Sequence, residues 1–145
     1  MQNVSGLFSG RATTQAIISP QDSPNHGLNL LEVAGVQKTS DDNWNDAKIT
    51  YWGTADLVDG SGPQRGYFMN VHSNGDRDTG TFEGKVITAD GHVTIEGTWK
   101  YVDGTGMFRG LKGGGTYKGR MISPTEVENT WEGTYELAAI AQAAA

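Results

Sequence analysis

The sequence predicts an all-β fold, an eight-stranded antiparallel up-and-down (calycin-like) β-barrel. Three observations carry that prediction. Gly-Thr recurs inside alternating runs, at Gly53-Thr54, Gly80-Thr81, Gly97-Thr98, Gly115-Thr116 and Gly133-Thr134, and in the last four an aromatic residue follows. Those four start at positions 80, 97, 115 and 133, an interval that suits one long strand plus one turn. Apolar and polar residues also alternate with period two, and the runs are separated by residues with turn chemistry. A regular strand-turn meander has a closed barrel as its natural end state.

The segments are placed near 5–18, 28–39, 46–58, 64–73, 77–88, 92–102, 113–122 and 126–137. The first ends at Ser19-Pro20, with Ser23-Pro24-Asn25 behind it, and the second at Asp41-Asp42-Asn43. The third runs into Asp59-Gly60-Ser61-Gly62-Pro63. Asn74-Gly75 closes the fourth and Asp90-Gly91 the fifth, and both dipeptides signal hairpins because they accept positive φ. Asp103-Gly104-Thr105-Gly106 follows the sixth and Ser123-Pro124 the seventh. Residues 1–137 are expected to form one barrel domain, and 138–145 an Ala-rich tail of helical composition.

Composition narrows the function classes. The chain carries 21 glycines in 145 residues, about double the usual ~7% share. Within strands glycine marks bends, bulges or a close approach of backbone or ligand, which a small, tightly curved barrel needs. A net charge of −6 without a Lys/Arg cluster argues against nucleic acid. Apolar runs fall far short of the ~20 residues of a membrane span. Cysteine is absent, which removes disulfides, thiolate zinc sites and thiol catalysis. Met1 to Gly10 shows neither a charged n-region nor an apolar h-region, so the expectation is a cytoplasmic protein.

The late strands separate into two faces. Val93, Ile95, Gly97, Trp99 and Tyr101 oppose Thr94, Glu96, Thr98 and Lys100. Gly115, Tyr117, Gly119 and Met121 oppose Thr116, Lys118 and Arg120. Val127, Asn129, Trp131, Gly133 and Tyr135 oppose Glu128, Thr130, Glu132 and Thr134, and Gly80, Phe82 and Gly84 oppose Thr81, Glu83 and Lys85. The Thr/Glu/Lys face must be wet, so glycines and rings point inward. Large and small side chains there can interdigitate into a dry plug, or the glycines can leave room for a ligand beside the rings.

The run Val102-Asp103-Gly104-Thr105-Gly106-Met107-Phe108-Arg109-Gly110, followed by Gly113-Gly114-Gly115-Thr116-Tyr117-Lys118-Gly119, resembles the glycine-rich hairpin of the allene oxide cyclase-like barrels. That superfamily includes plant dirigent proteins, plant allene oxide cyclases and small bacterial barrels of unassigned function, and the chain looks most like the bacterial group. The resemblance implies an eight-stranded barrel with an apolar cavity, commonly oligomeric. It also implies action on apolar or phenolic molecules, steering cyclisation or coupling without metal or organic cofactor. The family's catalytic residues lie outside this hairpin, so none is carried over.

Candidate chemistry comes from the remaining residues. Glu32 is in register with Leu28, Leu30, Ala34 and Val36; buried there, its carboxyl would have a raised pKa suited to acid or base work. Asn129, between Val127 and Trp131, could orient a ligand oxygen or hydrogen-bond neighbouring backbone. In 64–73, Phe68, Asn70 and His72 share a face; pointed inward, His72 could shuttle protons near neutral pH. Tyr51, Phe68, Phe82, Trp99, Tyr101, Tyr117, Trp131 and Tyr135 form the expected aromatic lining. Arg11 could face inward or be solvated, and His26 and His92 fall in turns. The three histidines share no metal-site spacing, Gly104-Thr105-Gly106 lacks a following helix for a nucleotide loop, and Leu7-Phe8-Ser9-Gly10 only imitates a nucleophile elbow.

The leading expectation is a barrel that binds an apolar or aromatic small molecule. It is either a cofactor-free lyase, isomerase or cyclase using Glu32, Asn129 and His72, or a carrier whose lining does no chemistry. A dry oligomerisation module is the third reading. Leu31 and Val33 make strand 28–39 apolar on both sides, so one side is expected to meet the N-terminal segment or a partner copy.

Overall fold

The computed structural model describes residues 1–138. Eight antiparallel strands follow one another in a closed barrel: β1 (Gln2–Ile18), β2 (His26–Thr39), β3 (Lys48–Val58), β4 (Gly62–Val71), β5 (Arg77–Ala89), β6 (His92–Gly104), β7 (Lys112–Ser123) and β8 (Glu126–Glu136). The predicted segments match these strands to within a few residues. The helical reading of the C-terminal tail falls, from residue 139 onward, outside the described residues.

Each strand pairs with its sequence neighbours, and β1 also pairs with β8, from Gln2 opposite Tyr135 to Arg11 opposite Glu126. Every strand therefore has its backbone groups bonded on both sides, which is what removes exposed sheet edges. Register slips at Ala12/Thr14, Thr79/Gly80 and Met121/Ser123 supply the bends that tight closure needs. The Asp90-Gly91 turn has both residues at positive φ, 52° and 77°, as a two-residue hairpin requires. At Asn74-Gly75 only the glycine does so, at 89°, and Asn74 Oδ1 instead accepts from the Asp76 amide.

The inner face is the glycine-and-aromatic one in β5 to β8. Four inner glycine pairs stand directly opposite each other: Gly10–Gly35, Gly53–Gly66, Gly84–Gly97 and Gly115–Gly133. Rings from other positions lie across glycines. The end of Phe68 is 2.2 Å from where a Cβ on Gly80 would be, and the Trp131 indole is 2.7 Å from the same point on Gly6.

The two ends of the barrel differ. One is sealed by a cap that the chain reaches from three loops. Trp44, fully buried in the 40–47 loop, stacks on Tyr101 at 5.5 Å and meets Tyr135 edge-on at 4.7 Å. Phe108, in a single 3-10 turn (Gly106–Phe108), stacks on His72 at 4.1 Å, and Leu111 is buried beside the same end. The glycine-rich hairpin that carried the family resemblance is thus the wall of this cap. The other end is formed by the 19–25, 59–61, 90–91 and 124–125 turns, and its inner residues Leu31, Leu57, Val93 and Met121 are only half-buried.

Candidate functional site

Above the cap the rings do not meet completely. They leave a cavity of about 70 Å³ whose fourteen lining side chains are all uncharged: eight aromatic, two isoleucine and four amide. The interior is neither fully packed nor widely open. Side chains fill most of the barrel, and the residual space is far below the roughly 300–1,000 Å³ of pockets for drug-sized ligands.

The aromatic wall is held by edge-to-face contacts. Phe8–Tyr51, Tyr51–Phe82 and Phe82–Tyr117 have centroids 5.8, 5.6 and 6.0 Å apart, and Trp99 meets Trp131 at 5.5 Å. Such pairs add about 0.5–1.5 kcal/mol each beyond their buried area. Trp99 is fixed further by its Nε1 donating to the Thr116 carbonyl at 3.1 Å. Burial pushes the Tyr51 and Tyr101 phenols well above their ordinary range, so both stay neutral.

A directional chain of hydrogen bonds leads from the cavity wall into the cap. Trp131 Nε1 donates to Gln37 Oε1 (2.9 Å), Gln37 Nε2 to Asn70 Oδ1 (3.2 Å), and Asn70 Nδ2 to Asp78 Oδ1 (2.9 Å). The other Asp78 oxygen bonds Trp44 Nε1 (2.9 Å) and His72 Nε2 (2.6 Å). Asp78 is 0% exposed, and these hydrogen bonds are what compensate the loss of water around its two oxygens. The carboxylate orders the amides behind it, because each donor in the chain points toward Asp78.

Two further polar groups line the cavity outside this chain. Gln64 Nε2 donates to the Tyr117 hydroxyl at 2.8 Å, and that oxygen would stand 2.6 and 2.7 Å from Cβ atoms built on Gly84 and Gly97. Asn129 is 7% exposed, and its Oδ1 has no hydrogen-bond partner among the described residues.

Of the sequence-predicted site residues, Tyr51, Phe68, Phe82, Trp99, Tyr101, Tyr117, Trp131 and Asn129 line the cavity. Two others lie in the cap instead. Tyr135 is buried against Trp44 and bonded to Asp41 and Gln2, and His72 is held between Phe108 and Asp78.

Glu32 requires a correction. Its strand faces the other way: Glu32 stands opposite Trp52 on the outer surface, while Val33, opposite Tyr51, points inward. Thr13 Oγ1 (2.7 Å) and Trp52 Nε1 (2.6 Å) donate to its carboxylate and hold its pKa below the ordinary value, opposite to the expected rise. Arg11 is likewise outside, 3.6 Å from Glu126. His26 and His92 begin β2 and β6 rather than falling in turns, and the two ring nitrogens of His26 lie 2.7 and 2.6 Å from Asp22 and Asp56.

Sequence reasoning missed Gln37, Gln64 and Asp78. Asp78 shares the period-two face of Gly80 and Phe82, and Gln64 that of Phe68, so both were there to be counted. Gln37 was lost with the inverted face of β2. Among the described residues, no three His, Cys, Asp or Glu side chains come together as a metal site needs.

No family model matches the sequence, and no curated protein sequence matches it. Among solved structures, the fold is similar to that of the pterocarpan synthase dirigent protein, at 14% identity and a TM-score of 0.49, over 92% of this chain and 86% of that one.

Proposed function

We propose that the protein is a small-molecule-binding barrel that holds a compact apolar or aromatic molecule in its ring-lined cavity, admitted from the end opposite the Trp44 cap. The observation that carries this reading is the interior itself: uncharged, walled by eight aromatic side chains, and containing an amide oxygen without a partner. A well-packed interior closes such spaces and pairs such atoms. The test is calorimetry or quenching of Trp99 and Trp131 fluorescence with single-ring aromatic compounds. Saturable binding at one site per chain supports the reading, and silence across the series removes it.

Holding is favoured over cofactor-free lyase, isomerase or cyclase chemistry. Glu32 lies outside the barrel, and Asp78 and His72 are tied up in the cap behind Asn70, so the cavity wall offers no carboxylate or imidazole for proton transfer. A dry oligomerisation module fits the cavity less well.

Self-association is a separate proposal. The outer side of β1 to β4 leaves Ile18, Leu30 and Tyr67 more than half exposed at 68%, 55% and 65%, whereas the outer side of β5 to β8 is mostly Glu, Lys and Thr, with Val102 and Ile122 exposed only near strand ends. A second copy of the chain would cover the apolar side. A monomer by light scattering at micromolar concentration would remove this proposal.

A further inference from the structure

We infer that the cavity selects an uncharged single-ring molecule bearing one hydrogen-bonding substituent, and that Asn129 is the residue that reads the substituent. This rests on the binding role proposed above and names the ligand chemistry of that same site.

The polar groups of the wall are not equivalent. Gln37 and Asn70 are committed to the chain that ends on Asp78, each accepting one hydrogen bond and donating one. Gln64 is committed to Tyr117. Asn129 alone in the wall has a buried oxygen left unpaired among the described residues. It sits on β8 opposite Gly119, and its Oδ1 is 2.7 Å from where a Gly119 Cβ would be, so the missing side chain is what makes room for the amide. A half-turn about its last torsion exchanges oxygen for NH₂, so the amide can accept from a ligand donor or donate to a ligand acceptor. A ligand that pairs it converts an unsatisfied group into a satisfied one, and an apolar ligand leaves it unpaired. Tyr117 supports the same choice: its oxygen accepts from Gln64, which leaves its own proton to donate.

Charge is selected against by the same wall. None of the fourteen lining side chains can neutralise an ion, so a charged ligand would lose its hydration without a counter-charge. An anion fares worse still. The amide donors of Gln37 and Asn70 already point toward Asp78, and that carboxylate lies one residue behind the wall.

The experiment is titration calorimetry of the full chain with three probes of one ring size: benzene, phenol and benzoate. Phenol is expected to bind about tenfold more tightly than benzene, the worth of one good hydrogen bond. Benzoate is expected to give no measurable binding at concentrations where phenol saturates. In Asn129→Leu, benzene is expected to keep its affinity while phenol drops to the level of benzene. Should that variant fold poorly, the ranking of the three probes on the native protein still decides. Equal binding of phenol and benzene, or benzoate binding as tight as phenol, would overturn the inference while leaving the cavity as a ligand site. Silence from both neutral probes would overturn the inference and the binding reading together.

Discussion

The Tyr117 hydroxyl occupies the space that a side chain on Gly97 would need, 2.7 Å from where its Cβ would stand. Gly97 faces Gly84 across the β5–β6 ladder, and the phenol crosses both to reach Gln64 on β4. The same relation joins Phe68 to Gly80 and Trp131 to Gly6. The recurring small-plus-ring pattern therefore includes a set of berths: Gly6, Gly80, Gly84 and Gly97 are floors on which rings from other strands lie.

Gly6→Ala tests that relation with the least disturbance of backbone, because the nearest atoms to the added methyl are side chain only, Trp131 at 2.7 Å and Thr39 at 2.9 Å. The methyl pushes the indole into the cavity. Overpacking of this kind costs about 1–3 kcal/mol. The expected result is a folded barrel of lower denaturation midpoint that binds single-ring aromatics more weakly. Unchanged affinity would show that Trp131 has room elsewhere.

Asp78→Asn should be among the most damaging substitutions in the chain. Asp78 receives donors from Trp44, Asn70 and His72, and an amide in its place turns one acceptor into a donor aimed at other donors. Leaving a buried donor without its acceptor costs about 1–3 kcal/mol. Urea denaturation followed by tryptophan fluorescence measures it, and a loss below about 1 kcal/mol, within the range of a neutral hydrogen bond, would mean that the cap does not depend on this carboxylate.

His26 predicts a local pH dependence at the opposite end. Its hydrogen bonds to Asp22 first and Asp56 second raise its pKa above the ordinary value of 6.5, and the same ring lowers that of Asp22. A raised histidine contributes fully below 6.5 and loses its contribution as pH climbs through the elevated value. A lowered carboxylate contributes above its ordinary 3.8 and fails as pH falls through its depressed value. Amide protection in the 19–25 turn, taken relative to the intrinsic exchange rate at each pH, should therefore be highest between those limits and fall on the alkaline side as His26 titrates by NMR. His26→Gln should remove the alkaline step. The effect on global stability should be small, because the cluster is at the solvent edge.

Glu32→Gln should leave ligand affinity unchanged. The carboxylate is on the outer surface, bonded to Thr13 and Trp52, and does not line the cavity. A weakened complex, measured by the same calorimetry, would place the ligand outside the barrel.

Strand order, turn positions and the inner face of β5 to β8 were legible because one side of each strand carries Glu, Lys and Thr, which must be wet. β2 was not. Leucine on both sides, Leu28 and Leu30 on one and Leu31 on the other, masked the charges Glu32 and Lys38 that mark the first side as wet, and the structure fixes the parity through cross-strand register, with Val33 opposite Tyr51. The error inverted Glu32 and hid Gln37 together, since a one-residue slip turns every side chain over. The cap was hidden for a different reason. Trp44 meets Asp78, Tyr101 and Tyr135 from a loop, across separations no periodicity reports.

The seam between β1 and β8 brings residue 2 beside residue 135, so the ring can lock only after the whole chain is available. Contacts this distant in sequence are slow to form, on the order of milliseconds to seconds for comparable topologies. Until that moment the first and last strands are sticky margins able to zip onto another unfinished molecule. The seam therefore makes maturation the vulnerable period of this protein's life, and favours assembly at low concentration.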